Sequence, residues 1–146
     1  INGGVNLKRI YNILAVLHLF VGVGALFGGF GVIIDPSGKA LGVTTDILKS
    51  GPFVDFLIPG LFLFIFLGVF DIIVAVFAFK KFHYQAYLSG IMGLGLMIFI
   101  AIQCIILDTI NILHIIFFVL GLIEALFALV LALKTELFPF NLLKRM

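Results

Sequence analysis

The sequence predicts an all-α polytopic membrane protein, an antiparallel bundle of four transmembrane helices forming a single domain over residues 1–146. Three observations predict it. Hydrophobic residues make up 64% of the chain and charged residues 11%, whereas a soluble domain is about half apolar and a quarter charged. The apolar residues gather in four runs, over about 10–34, 55–79, 85–107 and 112–133. Each run is long enough to cross a hydrocarbon core of about 30 Å at about 1.5 Å per helical residue. The cationic residues collect on alternate connections, which makes sequential helices antiparallel.

The first run follows Lys8 and Arg9, as the apolar segment of a signal peptide would. It is longer than the roughly 7–15 residues of such a segment, and no Ala-x-Ala site follows, so it reads as a retained helix. In the loop at 35–54, Asp35-Pro36-Ser37-Gly38 places Asp, Pro and Gly where a type I turn favours them. Thr45 is expected to cap a short helical turn through Ser50, ended by Gly51 and Pro52. Ile47 and Leu48 would lay that turn on the bundle or the membrane. Asp55 reads as the N-cap of the second helix. Pro59 lies in its first turn, where a missing N–H costs least. Lys80 and Lys81 precede the third helix, and Asp108 or Asn111 caps the fourth. The basic, partly apolar tail from Lys134 to Met146 is expected to lie on the inner leaflet.

Orientation follows from charge. Lys8, Arg9, Lys80, Lys81, Lys134, Lys144 and Arg145 share one side, seven of the 9 cationic residues. Lys39 and Lys49 face the other side, among Asp35, Asp46, Asp55 and Asp108. The positive-inside bias therefore predicts that both termini are cytoplasmic. The chain has no Trp, so Tyr11, Phe82, Tyr84, Tyr87, Phe138 and Phe140 are expected to form the inner aromatic belt, with Phe53 and Phe56 on the outer side.

Gly28-Gly29, Asp35-Pro36-Ser37-Gly38, Leu41-Gly42 and the run from Pro52-Phe53 through Asp55-Phe56-Leu57-Ile58-Pro59-Gly60-Leu61 carry a resemblance. Over the first helix, the loop and the start of the second, the chain resembles a widespread group of small, uncharacterised four-helix bacterial membrane proteins. The resemblance implies the fold and a bacterial source, and with it the plasma membrane, the bacterial inner membrane, as the expected location; it brings no activity or site.

Each helix carries small and polar residues at helical spacing. The stripes are Ala15, His18, Gly22, Ala25 and Gly29; Gly60, Gly68, Asp71, Ala75 and Ala78; Ala86, Gly90, Gly93, Ala101 and Cys104; and His114, Gly121, Glu124, Ala125, Ala128 and Ala132. Lipid gives no hydrophobic drive between helices, so small residues that let backbones approach mark the packed faces. Counting from the inner charges, His18 lies nine residues past Arg9, Asp71 nine before Lys80 and Glu124 ten before Lys134. Three ionisable groups are thus expected in one layer about 13–15 Å deep at about 1.5 Å per residue. A lone charge there costs at least about 2.5–3.5 kcal/mol, so the acids must be protonated, shared or paired with His18. Gln103 and His114, with Asp55, form a candidate outer polar layer.

The motifs exclude more than they assign. The single Cys104 rules out an intrachain disulfide. No phosphate loop, serine triad or paired thiol is present, so the chain does not read as an enzyme. No His-x-x-x-His spacing supports a metal. His18 and His114 sit at different depths and cannot share a haem, and His83 reads as interfacial, so no metal or cofactor is expected. The composition suits a non-catalytic accessory or structural subunit that associates with lipids and with other integral membrane proteins or itself, and not with nucleic acid. The alternative is a small proton-coupled carrier or channel that uses His18, Asp71 and Glu124.

Overall fold

A computed structural model of the chain describes residues 6–39, 52, 54–107, 110, 112–138 and 142. Its elements are α1, Leu7–Ile34; α2, Leu57–Phe79; α3, Gln85–Leu107; and α4, Ile112–Lys134. All four are long and apolar enough to cross a membrane, which makes the chain an all-α, multi-pass membrane protein.

The helix starts differ slightly from the hydropathy reading, for local reasons. α1 begins at Leu7 because the Asn6 side chain accepts the Lys8 N–H at 2.8 Å. α2 begins at Leu57, two residues beyond Asp55, and the N-cap position is held by Phe56. Asp55 still serves the helix start, because its Oδ1 accepts the Leu57 N–H at 3.0 Å. The Asp35 turn forms as expected. Gly38 N–H donates to Asp35 O at 2.9 Å, and Gly38 takes φ 81°, a left-handed conformation that suits glycine. Pro36 O then accepts the Phe56 N–H at 2.9 Å, tying the turn to the start of α2. The helical turn expected at 45–50, Asp108 and Asn111 lie outside the described residues.

The ends of α2 and α4 are built alike. Phe82 N–H donates to Phe77 O and Leu137 N–H to Ala132 O, both at 3.1 Å, while Lys81 N–H reaches Ala78 O and Glu136 N–H reaches Leu133 O. This double closure needs a left-handed residue, and Lys81 and Glu136, both at φ 58°, take that role. Phe77 and Phe82 then meet with ring centroids 5.0 Å apart and planes tilted by 36°, the apolar contact that accompanies such an ending. Lys81 Nζ donates to Asn12 Oδ1 at 2.8 Å. Tyr11, expected in the aromatic belt, is instead buried, and its hydroxyl donates to Phe82 O at 3.1 Å. A tyrosine in the first turns of α1 can satisfy its hydroxyl inward, on the α2–α3 connection.

Neighbouring helices run antiparallel around a closed bundle. α1 meets α2 where Gly29 faces Gly60 and Gly22 faces Gly68, and α3 meets α4 where Gly93 faces Gly121. A Cβ on Gly93 would lie 2.8 Å from Gly121 O, so these backbones touch at a distance that no side chain permits. Gly24 against Phe117 joins α1 to α4, and Gly95 against Phe66 joins α2 to α3. The outer surface is Phe, Leu, Ile and Val. The small-residue stripes of α1 and α2 are buried as expected. On α3, Ala101 is exposed and Cys104 half-buried, and the packed face is Gln85, Ala86, Ser89, Met92, Gly93, Leu96 and Ile100. Small size alone does not bury a residue when larger neighbours such as Leu96 and Ile100 carry the contact.

Candidate functional site

Two apolar clusters divide the interior. One holds Ile10, Leu14, Ala78, Ala86 and Leu131 towards the cationic end. The other holds Val21, Ala25, Leu67, Met92, Leu96 and Ile100 towards the opposite end. Between them lies a polar layer to which every helix contributes. His18 comes from α1, Asp71 from α2, Ser89 and Gln85 from α3, and Glu124 from α4; all five are fully buried, at 0% exposure.

One local pattern places them. Each of His18, Asp71, Ser89 and Glu124 has a small residue three positions before it and another four positions after it: Ala15 and Gly22, Gly68 and Ala75, Ala86 and Gly93, Gly121 and Ala128. Those positions lie one turn above and below on the same face. Small residues there draw the helices close enough for short polar side chains to meet.

The His18 ring is the hub. Its Nδ1 lies 2.6 Å from Asp71 Oδ1 and 2.9 Å from Glu124 Oε2. Its Nε2 lies 2.8 Å from Ser89 Oγ. Gln85 Nε2 donates to Ser89 Oγ at 3.0 Å and to Val74 O at 3.3 Å. A ring nitrogen offers one in-plane direction, and at Nδ1 it points to Asp71. Glu124 Oε2 is therefore in close ionic contact with the ring but outside hydrogen-bond geometry. Four buried acceptors are left without a hydrogen-bond partner among the described residues: Asp71 Oδ2, both oxygens of Glu124 and Gln85 Oε1.

The three residues expected to share a layer are thus brought together. Ser89 and Gln85 were not read from the sequence. The signal for Ser89 was available: it lies eight residues past Lys81, at the depth of the other three, with the same small residues around it. Of the expected outer polar layer, His114 is buried on α4, Gln103 is half-buried on α3, and Asp55 is half-buried at the start of α2. Asp55 is engaged with the Leu57 N–H.

α2 is not a uniform α-helix. From Leu63 to Val69 it widens into π-helical turns, closed by the Phe70 N–H on Ile65 O. Such turns are rare and frequently adjoin functional sites. This one ends two residues before Asp71. Gly68 lies within it, against Leu26 of α1, where a Cβ would come within 2.8 Å of a Leu26 methyl.

No protein-family model, no curated protein and no solved structure matches this chain.

Proposed function

We propose that the protein is a small, non-catalytic membrane carrier or channel. It holds a positive charge, a proton or small cation, in the layer of His18, Asp71, Glu124, Ser89 and Gln85 and passes it across the bilayer. One observation carries the reading: the layer has a surplus of buried acceptors, with three carboxylate oxygens and one amide oxygen that make no hydrogen bond among the described residues, Glu124 Oε2 having only its ionic contact with His18. In a low-dielectric interior a half-satisfied network is worse than an apolar core. A layer that served only to fasten helices would be expected to match donors to acceptors. A surplus of acceptors suits a layer that takes up positive charge.

The remainder of the proposal follows the charge pattern. Lys8, Arg9, Lys80 and Lys134 are exposed at one end of the bundle, which favours cytoplasmic termini in a bacterial inner membrane. Four helices make a thin path, so transport favours a homo-oligomer over a single copy. The competing reading, an accessory subunit that uses the layer as a staple, predicts a different result in one experiment. The chain is reconstituted in vesicles loaded with a pH-sensitive or a metal-sensitive dye, and a potential is imposed. We expect a protein-dependent signal from at least one dye, abolished in folded Asp71→Asn and Glu124→Gln variants. Wild-type vesicles as tight as empty ones to both protons and cations would favour the staple.

A further inference from the structure

We propose that the polar layer is a binding site for a single divalent first-row transition-metal ion, with His18 Nδ1 and the carboxylates of Asp71 and Glu124 as ligands. The proposal rests on the reading of the layer as a site for positive charge, and it names the class of cation. One donor atom from each of the three residues lies within 4.8 Å of the others. Nδ1 already stands 2.6 and 2.9 Å from the two carboxylate oxygens. Two ligands about 2.1 Å from a metal and at right angles to each other are about 3.0 Å apart, which is close to the spacing Nδ1 already has with each carboxylate oxygen.

An independent observation points to a ligand. The Glu124 carboxylate is fully buried, at 0% exposure, faces the imidazole, and has no hydrogen bond on either oxygen among the described residues. Buried carboxylates are paired or coordinate a metal; the ring contact engages Oε2 and leaves Oε1 as the atom a metal would take up. Charge selects the valence. With both acids ionised and His18 neutral, a 2+ ion brings the layer to zero net charge, the least costly state inside a bilayer. A monovalent ion would leave one uncompensated negative charge.

The donor set selects the ion class. Imidazole nitrogen suits zinc, copper, iron and nickel, whereas magnesium and calcium favour oxygen-only shells. The chain's single thiol, Cys104, lies fifteen residues beyond Ser89 on α3, so soft thiolate coordination is not on offer in the layer. The rest of the network fits a supporting role. Asp71 Oδ1 lies 2.6 Å from Nδ1, and a metal would take the place of the proton between them, while Ser89 Oγ, 2.8 Å from His18 Nε2, would then accept an Nε2–H and fix the ring. Gln85 Nε2 donates to the same hydroxyl and holds it in place.

The test uses the full-length chain in detergent micelles, titrated with Co²⁺ and followed by its visible d–d absorption, then by competition with Zn²⁺. We expect one saturable Co²⁺ per chain, displaced by Zn²⁺ and not by excess Mg²⁺. His18→Gln, Asp71→Asn and Glu124→Gln should each weaken binding by more than about tenfold, and Ser89→Ala by about tenfold, as loss of a supporting hydrogen bond does. His83→Gln should leave binding unchanged. No saturable absorption in the helical wild-type protein, or a titration unaltered by His18→Gln, would overturn the proposal. Proton flux through vesicles without metal binding would remove the metal and keep the carrier. Metal binding without flux of either ion would keep this site and remove the carrier.

Discussion

A single imidazole joins all four helices at His18. It touches Asp71 of α2, Ser89 of α3 and Glu124 of α4 while sitting on α1. Hydrogen bonds between membrane helices contribute about 0.6–2 kcal/mol each, because the unfolded segments find other partners in the membrane. Asp71→Leu removes such a contact and is expected to lower stability by about that amount, measured by reversible unfolding in mixed micelles. Asp71→Asn keeps the shape and is expected to cost less. Equal losses in the two variants would show that His18 responds to charge alone. Depth counting from Arg9, Lys80 and Lys134 made His18, Asp71 and Glu124 legible in the sequence. It left out Ser89, because a serine in a membrane helix often bonds its own preceding turn and carries no charge to announce its depth. Gln85 was hidden by its place at the start of a helix, where a polar residue needs no explanation.

At the scale of the helix, close backbone contact decides the packing. Gly93 and Gly121 face each other so closely that a Cβ on Gly93 would also lie 2.9 Å from Ala125 N. Gly93→Ala is therefore expected to force α3 from α4 and cost about 1–3 kcal/mol, as overpacking does. Gly90, one turn away, has only Ala128 Cβ nearby, at 3.8 Å. Gly90→Ala should be neutral or stabilise by about 0.5–1 kcal/mol through helix propensity. Unfolding of both variants in the same micelles checks the pair, and a Gly93→Ala protein as stable as Gly90→Ala would contradict the contact. The glycine and alanine stripes were readable because their period is that of a helix. The wide turns at Leu63–Val69 were not: their sequence, Leu-Phe-Ile-Phe-Leu-Gly-Val, is as apolar as any straight membrane helix. They lie on the far side of Asp71 from Lys80 and so leave the depth count intact. Ala101 shows the opposite limit, a small residue on the expected face that the packing leaves exposed.

The whole molecule was the most legible level, because a chain in lipid must satisfy its backbone within each segment and only helices or closed barrels do so. Apolar length then gives the helix count, and connections that alternate between the two sides give the antiparallel order. Orientation is a separate expectation. A cysteine placed at His83, in a chain with Cys104→Ser, should react only from the cytoplasmic side, and one at Ser37 only from outside. Labelling of position 83 from outside intact cells would reverse the topology. At the heart of the molecule one imidazole is held between two carboxylates in the middle of the bundle. The most direct measurement is magnetisation transfer in lipid bilayers from the His18 ring nitrogens, labelled with ¹⁵N, to carboxyl carbons labelled with ¹³C. Transfer is expected to both Asp71 and Glu124 at nitrogen–carbon separations below about 4 Å, as direct contact requires, with each signal lost in its own Asn or Gln variant. Absence of transfer to either carboxyl in the folded protein would contradict that arrangement.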